Sequence, residues 1–462
     1  MFSYIQIIIL ETYNLQINIL FDIQIEKSMK IIYTFLLLLL IHSNTQAQLS
    51  QDEKRIIDYI KAHFGESEEL LIESVNINSG TLNTEGVKKV GAIYRRELDK
   101  LGFTTEWVNL PDSLRRAGHL VATRKGSQGK RLFLIGHLDT VFELDMAFSP
   151  YTKLNDSTAT GQGVNDMKGG NMVMISALKA LNSLKLLDNT QIIAYFTGDE
   201  ESSGSPHAVA RKDFIERART TEIALGFEGA QGLNTVAVAR RGIGGWVLNV
   251  IAKTGHSAGI FSQSAGYGAI YEAARIINEF RTQLKDEKYL TFNPGLMSAG
   301  SEIRVDNANA KVEAIGKTNI ISPAAYVAGD LRFISEVQRD KAREKMKAIT
   351  AQHLNGTSST ITFTDGLPAM EPTEGNYRLV NYVDKISRDM GIGATLAGDP
   401  GARGAGDISD IAKYVDCLDG MGASGGGAHK PGEVVDLKEL PILVQRAALM
   451  IYRLSRANSS IN

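Results

Sequence analysis

The 462-residue chain holds a single cysteine, Cys417. That excludes an internal disulfide and any cysteine-ligated zinc finger. Cys417 lies in an apolar run, so it is expected to be a small buried core residue. Long basic runs are also missing, and the formal net charge is only −2. Binding to nucleic acid or to an anionic membrane therefore has no electrostatic support. There is no internal repeat and no low-complexity linker. The apolar stretch Ile31 to Ile41 covers only about half of the roughly 20 residues that a bilayer requires.

The flanks of that stretch give it a different reading. Met29-Lys30 precede it and Thr45-Gln46-Ala47 follow it. A basic start, a short apolar run and small residues before a cut describe a secretory signal peptide over residues 29–47. Cleavage is expected after Ala47, with residues 1–28 lying ahead of a misassigned start. No cysteine follows the stretch, so no lipid or membrane anchor is expected after processing. Secreted or periplasmic residence follows.

With 43% hydrophobic and 22% charged residues, the chain has enough apolar content for large cores and more than one domain. Strand-like runs cover Thr104 to Leu110, His119 to Arg124, Arg131 to Ile135, Gln191 to Thr197, Ile223 to Phe227 and Thr235 to Ala239. Helical patterns cover Gln51 to Phe64, Thr84 to Leu101, Lys168 to Leu187 and Pro206 to Arg219. This alternation predicts an α/β fold with a mostly parallel mixed sheet flanked by helices. After Arg241 the order becomes strand Trp246 to Ala252, helix Gly268 to Leu284, strand Tyr289 to Phe292, strand Ala324 to Ile334, helix Glu336 to His353 and strand Ser359 to Phe363. That is a split βαβ order, expected to form an inserted ferredoxin-like α+β (βαββαβ) domain over 242–367. A long helix from Lys438 to Ser455 closes the chain. The catalytic domain is then discontinuous, 48–241 with 368–462, because residues from both parts are needed at one site.

Five segments carry those residues: Gly136-His137-Leu138-Asp139, Asn165-Asp166, Gly198-Asp199-Glu200-Glu201, Gly226-Phe227-Glu228 and Gly427-Ala428-His429. Most follow an apolar strand, so their side chains should gather at the carboxyl edge of the sheet. Adjacent carboxylates such as Glu200-Glu201 repel unless a cation separates their roles. One can ligate metal while the other acts as general base toward a metal-bound water. Asp139, two residues after His137, suits the task of orienting the imidazole through its second nitrogen. The charges of Asp166, Glu201 and Glu228 with one bridging hydroxide balance two divalent ions. Each segment alone also has an ordinary reading as a turn or an exposed acidic loop. The combination is what points to a metal pair.

These motifs resemble those of the zinc-dependent carboxypeptidase, aminoacylase and desuccinylase family of di-zinc metallopeptidases, nearest the glutamate carboxypeptidase type. The resemblance implies two Zn2+ per subunit, with Co2+ or Mn2+ as substitutes. It implies that Asp166 bridges the ions, that Glu201 and His429 complete one site, and that His137 and Glu228 complete the other. Glu200 would be the base and Asp139 the brace of His137. The inserted domain would act as lid and homodimer interface, with His256 reaching the partner subunit's site to stabilise the oxyanion. Asn319 and Arg332 would contact the substrate, a small peptide or N-acyl amino acid, and the Asp166-Met167 peptide would be cis. One position departs from the glutamate-releasing type: Leu367 stands where those relatives carry arginine. Arg403, in a glycine-rich loop, is the expected replacement cation.

Three other readings remain at this stage. An N-acyl amino acid deacylase would use the same site. Gly255-His256-Ser257-Ala258-Gly259 fits the nucleophile elbow of serine hydrolases, with Ser257 served by Asp330 or Asp407 and by His429. A non-catalytic metal-dependent binding protein would have no use for a free base such as Glu200.

Overall fold

A six-stranded mixed sheet gathers the ligand-bearing segments. In the computed structural model, which describes residue 24 and residues 49–306 and 311–456, its order is Thr104–Val108, His119–Arg124, Thr190–Thr197, Gln128–His137, Ile223–Gly226, Asp416–Leu418. The last four strands run parallel, and the first two join through antiparallel pairings. The signal peptide expected over 29–47 and its upstream residues lie outside the described residues, as do 307–310.

Gln128–His137 is central, and its run Leu132-Phe133-Leu134 is wholly buried, as a parallel strand covered on both faces must be. Helices Lys168–Ser183 and Leu440–Leu454 pack on each other and on this strand. Elsewhere Phe133, Tyr195, Phe214, Ile408 and Ile411 form a core that also takes in Cys417, which is fully buried as expected. No helix among the described residues is long and apolar enough to cross a membrane.

Residues 242–365 build a separate four-stranded antiparallel sheet, ordered Thr291–Gly300, Ala324–Phe333, Gly242–Ala252, Thr357–Asp365. Burial along Gly242–Ala252 alternates, so Trp246, Leu248 and Val250 meet Phe280 and Ile276 of helix Gly268–Leu284 and Met346 of helix Glu336–Thr350. Among the described residues, both helices of this segment belong to that one core.

Several details differ from the sequence reading, among them the strand expected over Thr235 to Ala239, which is only Thr235–Val236. The helix expected from Pro206 to Arg219 is two short ones, His207–Ala210 and Lys212–Ala218, because Arg211 between them turns inward and is 1% exposed. The strand expected over Tyr289 to Phe292 is Thr291–Gly300; a register shift between Pro294 and Leu296 lets it pass a residue that would otherwise end it. A hairpin of Glu302–Asp306 with Lys311–Ile315 was not anticipated.

Candidate metal centre

Three strands of the catalytic sheet end almost level. His137 is the register partner of Thr197, and Ile135 is the partner of Gly226. The loops that start there therefore bring Glu200-Glu201 and Glu228 beside His137. Asp166 arrives from the loop before helix Lys168–Ser183, and the Asp166–Met167 peptide is cis. His429 arrives from the loop that follows Gly425–Gly426; at position 425 only glycine fits, because a Cβ there would lie 2.0 Å from the Val434 carbonyl oxygen.

The two carboxylate oxygens of Asp166 face different imidazoles. Oδ1 is 3.2 Å from His137 Nε2, and Oδ2 is 3.0 Å from His429 Nε2. His137 Nε2 also lies 3.7 Å from Glu228 Oε1, and His429 Nε2 lies 3.2 Å from Glu201 Oε2. Potential ligand atoms of His137, Asp166 and Glu201 fall within 4.8 Å of one another, as do those of His137, Glu200 and Glu228. By distance alone, then, Glu200 stands as near to ligand geometry as Glu228 does. His137 is buried while the His429 side chain is 57% exposed, so the site opens on the His429 side.

The residues present fit divalent metal. Imidazole and carboxylate donors suit zinc and its neighbours. Glu201 Oε1 is buried without a hydrogen-bond partner, an arrangement costly for a polar atom unless a cation faces it. Burial pushes the Glu228 carboxyl up to about 7, and burial also pushes Glu200 well above the ordinary carboxylate range. Hydrogen bonds donated to the Asp166 and Glu201 carboxylates raise His429 to about 11. Burial opposes protonation of His137, yet the Asp139 and Asp166 carboxylates outweigh it and hold its pKa well above normal. Protons thus stand where bound cations would compensate the same carboxylates, which is the coupling expected of a metal site.

Asp139 serves more than one neighbour. The strand stops at His137 rather than continuing to Asp139, and His137 Nδ1 donates to the Asp139 backbone carbonyl at 3.0 Å. The Asp139 carboxylate is the next nearest acceptor, at 3.4 Å. Its oxygens also accept from the backbone N–H groups of Glu200 and Glu201, both at 3.1 Å, and from Thr81 Oγ1 at 2.6 Å. One residue therefore sets both elements: its backbone carbonyl orients the imidazole, and its buried carboxylate holds the di-glutamate turn.

The sequence reading missed two supports. Buried Glu433 accepts from the backbone N–H of Gly163 at 2.9 Å, of Asn165 at 2.8 Å and of Asp166 at 2.7 Å. It ties the loop that carries Asp166 to the segment just beyond His429. Its signal in sequence was only a glutamate four residues past His429. Behind Glu200, Arg211 binds Asp407 at 2.8 Å and approaches Asp410 at 3.8 Å; it also pairs with Asp199.

The remaining expected residues lie apart from this cluster. Gly255–His256 pairs with Ile320–Ile321 in a short ribbon, and Ser257 N donates to the Asn319 carbonyl at 2.9 Å, so His256 and Asn319 sit together within residues 242–365. His256 Nδ1 accepts from Ala258 N at 3.2 Å; Nε2 then carries the ring proton of the neutral imidazole. Arg332 pairs with Asp330 at 3.0 Å. Arg403 Nη1 donates to the carbonyl of Gly229, next to Glu228, at 2.6 Å. The serine constellation does not assemble. Ser257 opens a short 3-10 turn, eleven residues before helix Gly268–Leu284, and His429 is engaged with Asp166 and Glu201.

An α/β sheet whose carboxyl edge gathers two imidazoles and several carboxylates defines a metallohydrolase. The model of peptidase family M20/M25/M40 matches residues 133–453, and the chain belongs to that family: it is a metallopeptidase of carboxypeptidase-like type. Carboxypeptidase G2 of Pseudomonas sp. (strain RS-16) is 27% identical over 384 residues, covering 82% of this chain and 86% of the relative. The fold is similar to aminopeptidase PepT from Bacillus cereus ATCC 10987, with TM-score 0.67 and 17% identity, covering 84% of this chain and 99% of that one. It is also similar to an M20 family metallo-carboxypeptidase from Sulfolobus solfataricus, with TM-score 0.58 and 17% identity, covering 84% and 98%. A dinuclear metal-binding M20 peptidase from Bacillus subtilis shares the fold at TM-score 0.58 and 14% identity, covering 85% and 98%.

Proposed function

We propose that the protein is a secreted di-zinc carboxypeptidase that cleaves the amide bond of small peptides or N-acyl amino acids. The observation that carries this reading is Asp166, whose two oxygens lie 3.2 and 3.0 Å from His137 and His429. A carboxylate placed between two imidazoles is suited to bridge two cations. His137 with Glu228, and His429 with Glu201, would complete the two sites. When bound, the metals supply Lewis acidity, lowering the pKa of a water and polarising the scissile carbonyl.

The chain's own groups then move the protons. Glu200 takes a proton from the attacking water and delivers it to the leaving nitrogen. Its raised pKa suits it to hold that proton between the two steps. His256, with its proton on Nε2, is suited to donate to the developing oxyanion. Arg332 and Asn319 anchor the free carboxylate of the substrate. Deacylation of N-acyl amino acids would use the same groups.

Exhaustive chelation is expected to abolish hydrolysis of dipeptides and N-acyl amino acids, and added zinc to restore it. Activity that survives chelation, or that is lost to a fluorophosphonate instead, would sink this reading in favour of a serine mechanism. His256 lies on the lid rather than among the metal-site residues. We accordingly place it in the site of a partner subunit, in a homodimer formed through residues 242–367. Light scattering and N-terminal sequencing of the exported protein test both remaining parts together. A fully active monomer removes the role across the dimer, and a mature chain starting near Met1 removes the signal peptide.

A further inference from the structure

Position 367 lacks the arginine of the glutamate-releasing type, and the lid sheet shows what stands around it. Ile243 N donates to the Leu367 carbonyl at 2.9 Å, and on its other side Ile243 is the register partner of Arg332. Ile243 and Arg332 therefore sit in one row across the sheet, and the Leu367 backbone meets that row just past the end of strand Thr357–Asp365. Paired residues of neighbouring strands share a face, here the one opposite the helix-covered core, since Leu331 and Phe333 point into that core. Arg241 lies two residues before Ile243 in extended chain and so projects to that same face.

Arg241 reaches this row directly. Its Nη1 donates to Thr291 Oγ1 at 3.2 Å, and Thr291 is the register partner of Arg332. Its Nε is buried without a hydrogen-bond partner. No carboxylate among the described residues pairs with it, whereas Arg240 beside it is neutralised by Asp419 at 2.6 Å. A guanidinium with a dry, unmatched Nε–H is costly unless an acceptor arrives. Arg403, the replacement expected from sequence, instead spends a donor on the Gly229 carbonyl at 2.6 Å. Arg332 also turns toward this junction: a Cβ on Gly404 would lie 3.8 Å from its Nη1.

We infer that Arg241 is a substrate-binding residue, which with Arg332 holds the free carboxylate of the leaving amino acid and supplies the cation that position 367 lacks. The inference rests on the carboxypeptidase reading above. Its chemistry is the fork geometry in which adjacent guanidinium N–H groups take the two oxygens of a carboxylate. Lysine, a point donor, reproduces the charge but not the fork.

The test compares a panel of N-benzoyl amino acids with their matching carboxamides on the zinc-loaded full chain. The wild type should prefer the acids. Arg241→Ala should raise KM for the acids about tenfold, leave KM for the amides and kcat little changed, and so erase most of that preference; Arg241→Lys should recover part of it. Arg403→Ala tests the rival cation in the same way, while Arg281→Ala, exposed on helix Gly268–Leu284, is the control and should leave the preference intact. A wild type without acid preference, or an Arg241→Ala variant that keeps it, overturns the inference, most directly if Arg403→Ala removes it instead. Hydrolysis of neither panel overturns the carboxypeptidase reading itself and the inference with it.

Discussion

Replacing Glu200 by glutamine is expected to lower turnover about 10²–10⁴-fold, the usual contribution of a general base, with metal content unchanged. Glutamine keeps the shape and the backbone bond to Asp139 but cannot take up a proton. The prediction separates two roles that distances alone leave level, because Glu200 clusters with His137 and Glu228 as tightly as Glu201 does with His137 and Asp166. What distinguishes them is partnership. Glu201 Oε2 is 3.2 Å from His429, and its Oε1 is orphaned in the interior, as suits a ligand. Glu200 has no such imidazole partner at ion-pair distance, and burial holds its pKa well above normal. The same burial raises the Glu201 and Glu228 carboxyls as well, so it is the missing imidazole partner, not the elevation, that marks Glu200 as the base. Elemental analysis alongside kinetics decides. If the variant loses metal in step with activity, Glu200 is a ligand; if it hydrolyses at the native rate, the assignment of the base is wrong.

The two carboxylates were legible in sequence because their strand ends where its apolar run ends, at Thr197. The same holds for His137 and Glu228: short parallel strands announce their carboxyl edges, and chemistry collects there. The antiparallel sheet of residues 242–365 was legible as an order of elements but not in its detail. Pro294 argued for a strand end, and only the local register shift shows how pairing continues to Gly300. Glu433 and the Arg241 that we propose for the site were not legible in sequence for a shared reason. Glu433 matters through three backbone N–H groups some 270 residues earlier in the chain, and Arg241 through a threonine 50 residues later. A side chain whose role lies in a distant backbone or in a missing partner leaves no local pattern. Position 367 shows the converse: the absence of an arginine was readable, while the Arg241 that we propose in its place was not.

Arg211→Met should destabilise the protein by about 3–5 kcal/mol, the cost of stripping one partner from a buried ion pair. Arg211 is 1% exposed, and its guanidinium donates to Asp199 Oδ1 at 2.5 Å, to the Asp199 carbonyl at 3.2 Å and to Asp407 Oδ1 at 2.8 Å. Asp407 also accepts from Thr197 Oγ1, and Asp410 is held by His207 Nε2 at 2.9 Å. Three acidic residues thus surround one buried cation directly behind the Glu200-Glu201 turn. Methionine fills similar volume without charge, so the loss measured is mainly that of compensation rather than of packing. The damage should reach the chemistry, because Asp199 immediately precedes Glu200 and fixes the loop by accepting from Gly204 N at 2.8 Å. Denaturant midpoints report the stability loss, and the double variant Arg211→Met/Asp407→Asn should recover part of it by removing one stranded charge. Equal midpoints for Arg211→Met and wild type would show that the acids find compensation elsewhere. A double variant no better than the single would show that packing, not charge, is what Arg211 provides.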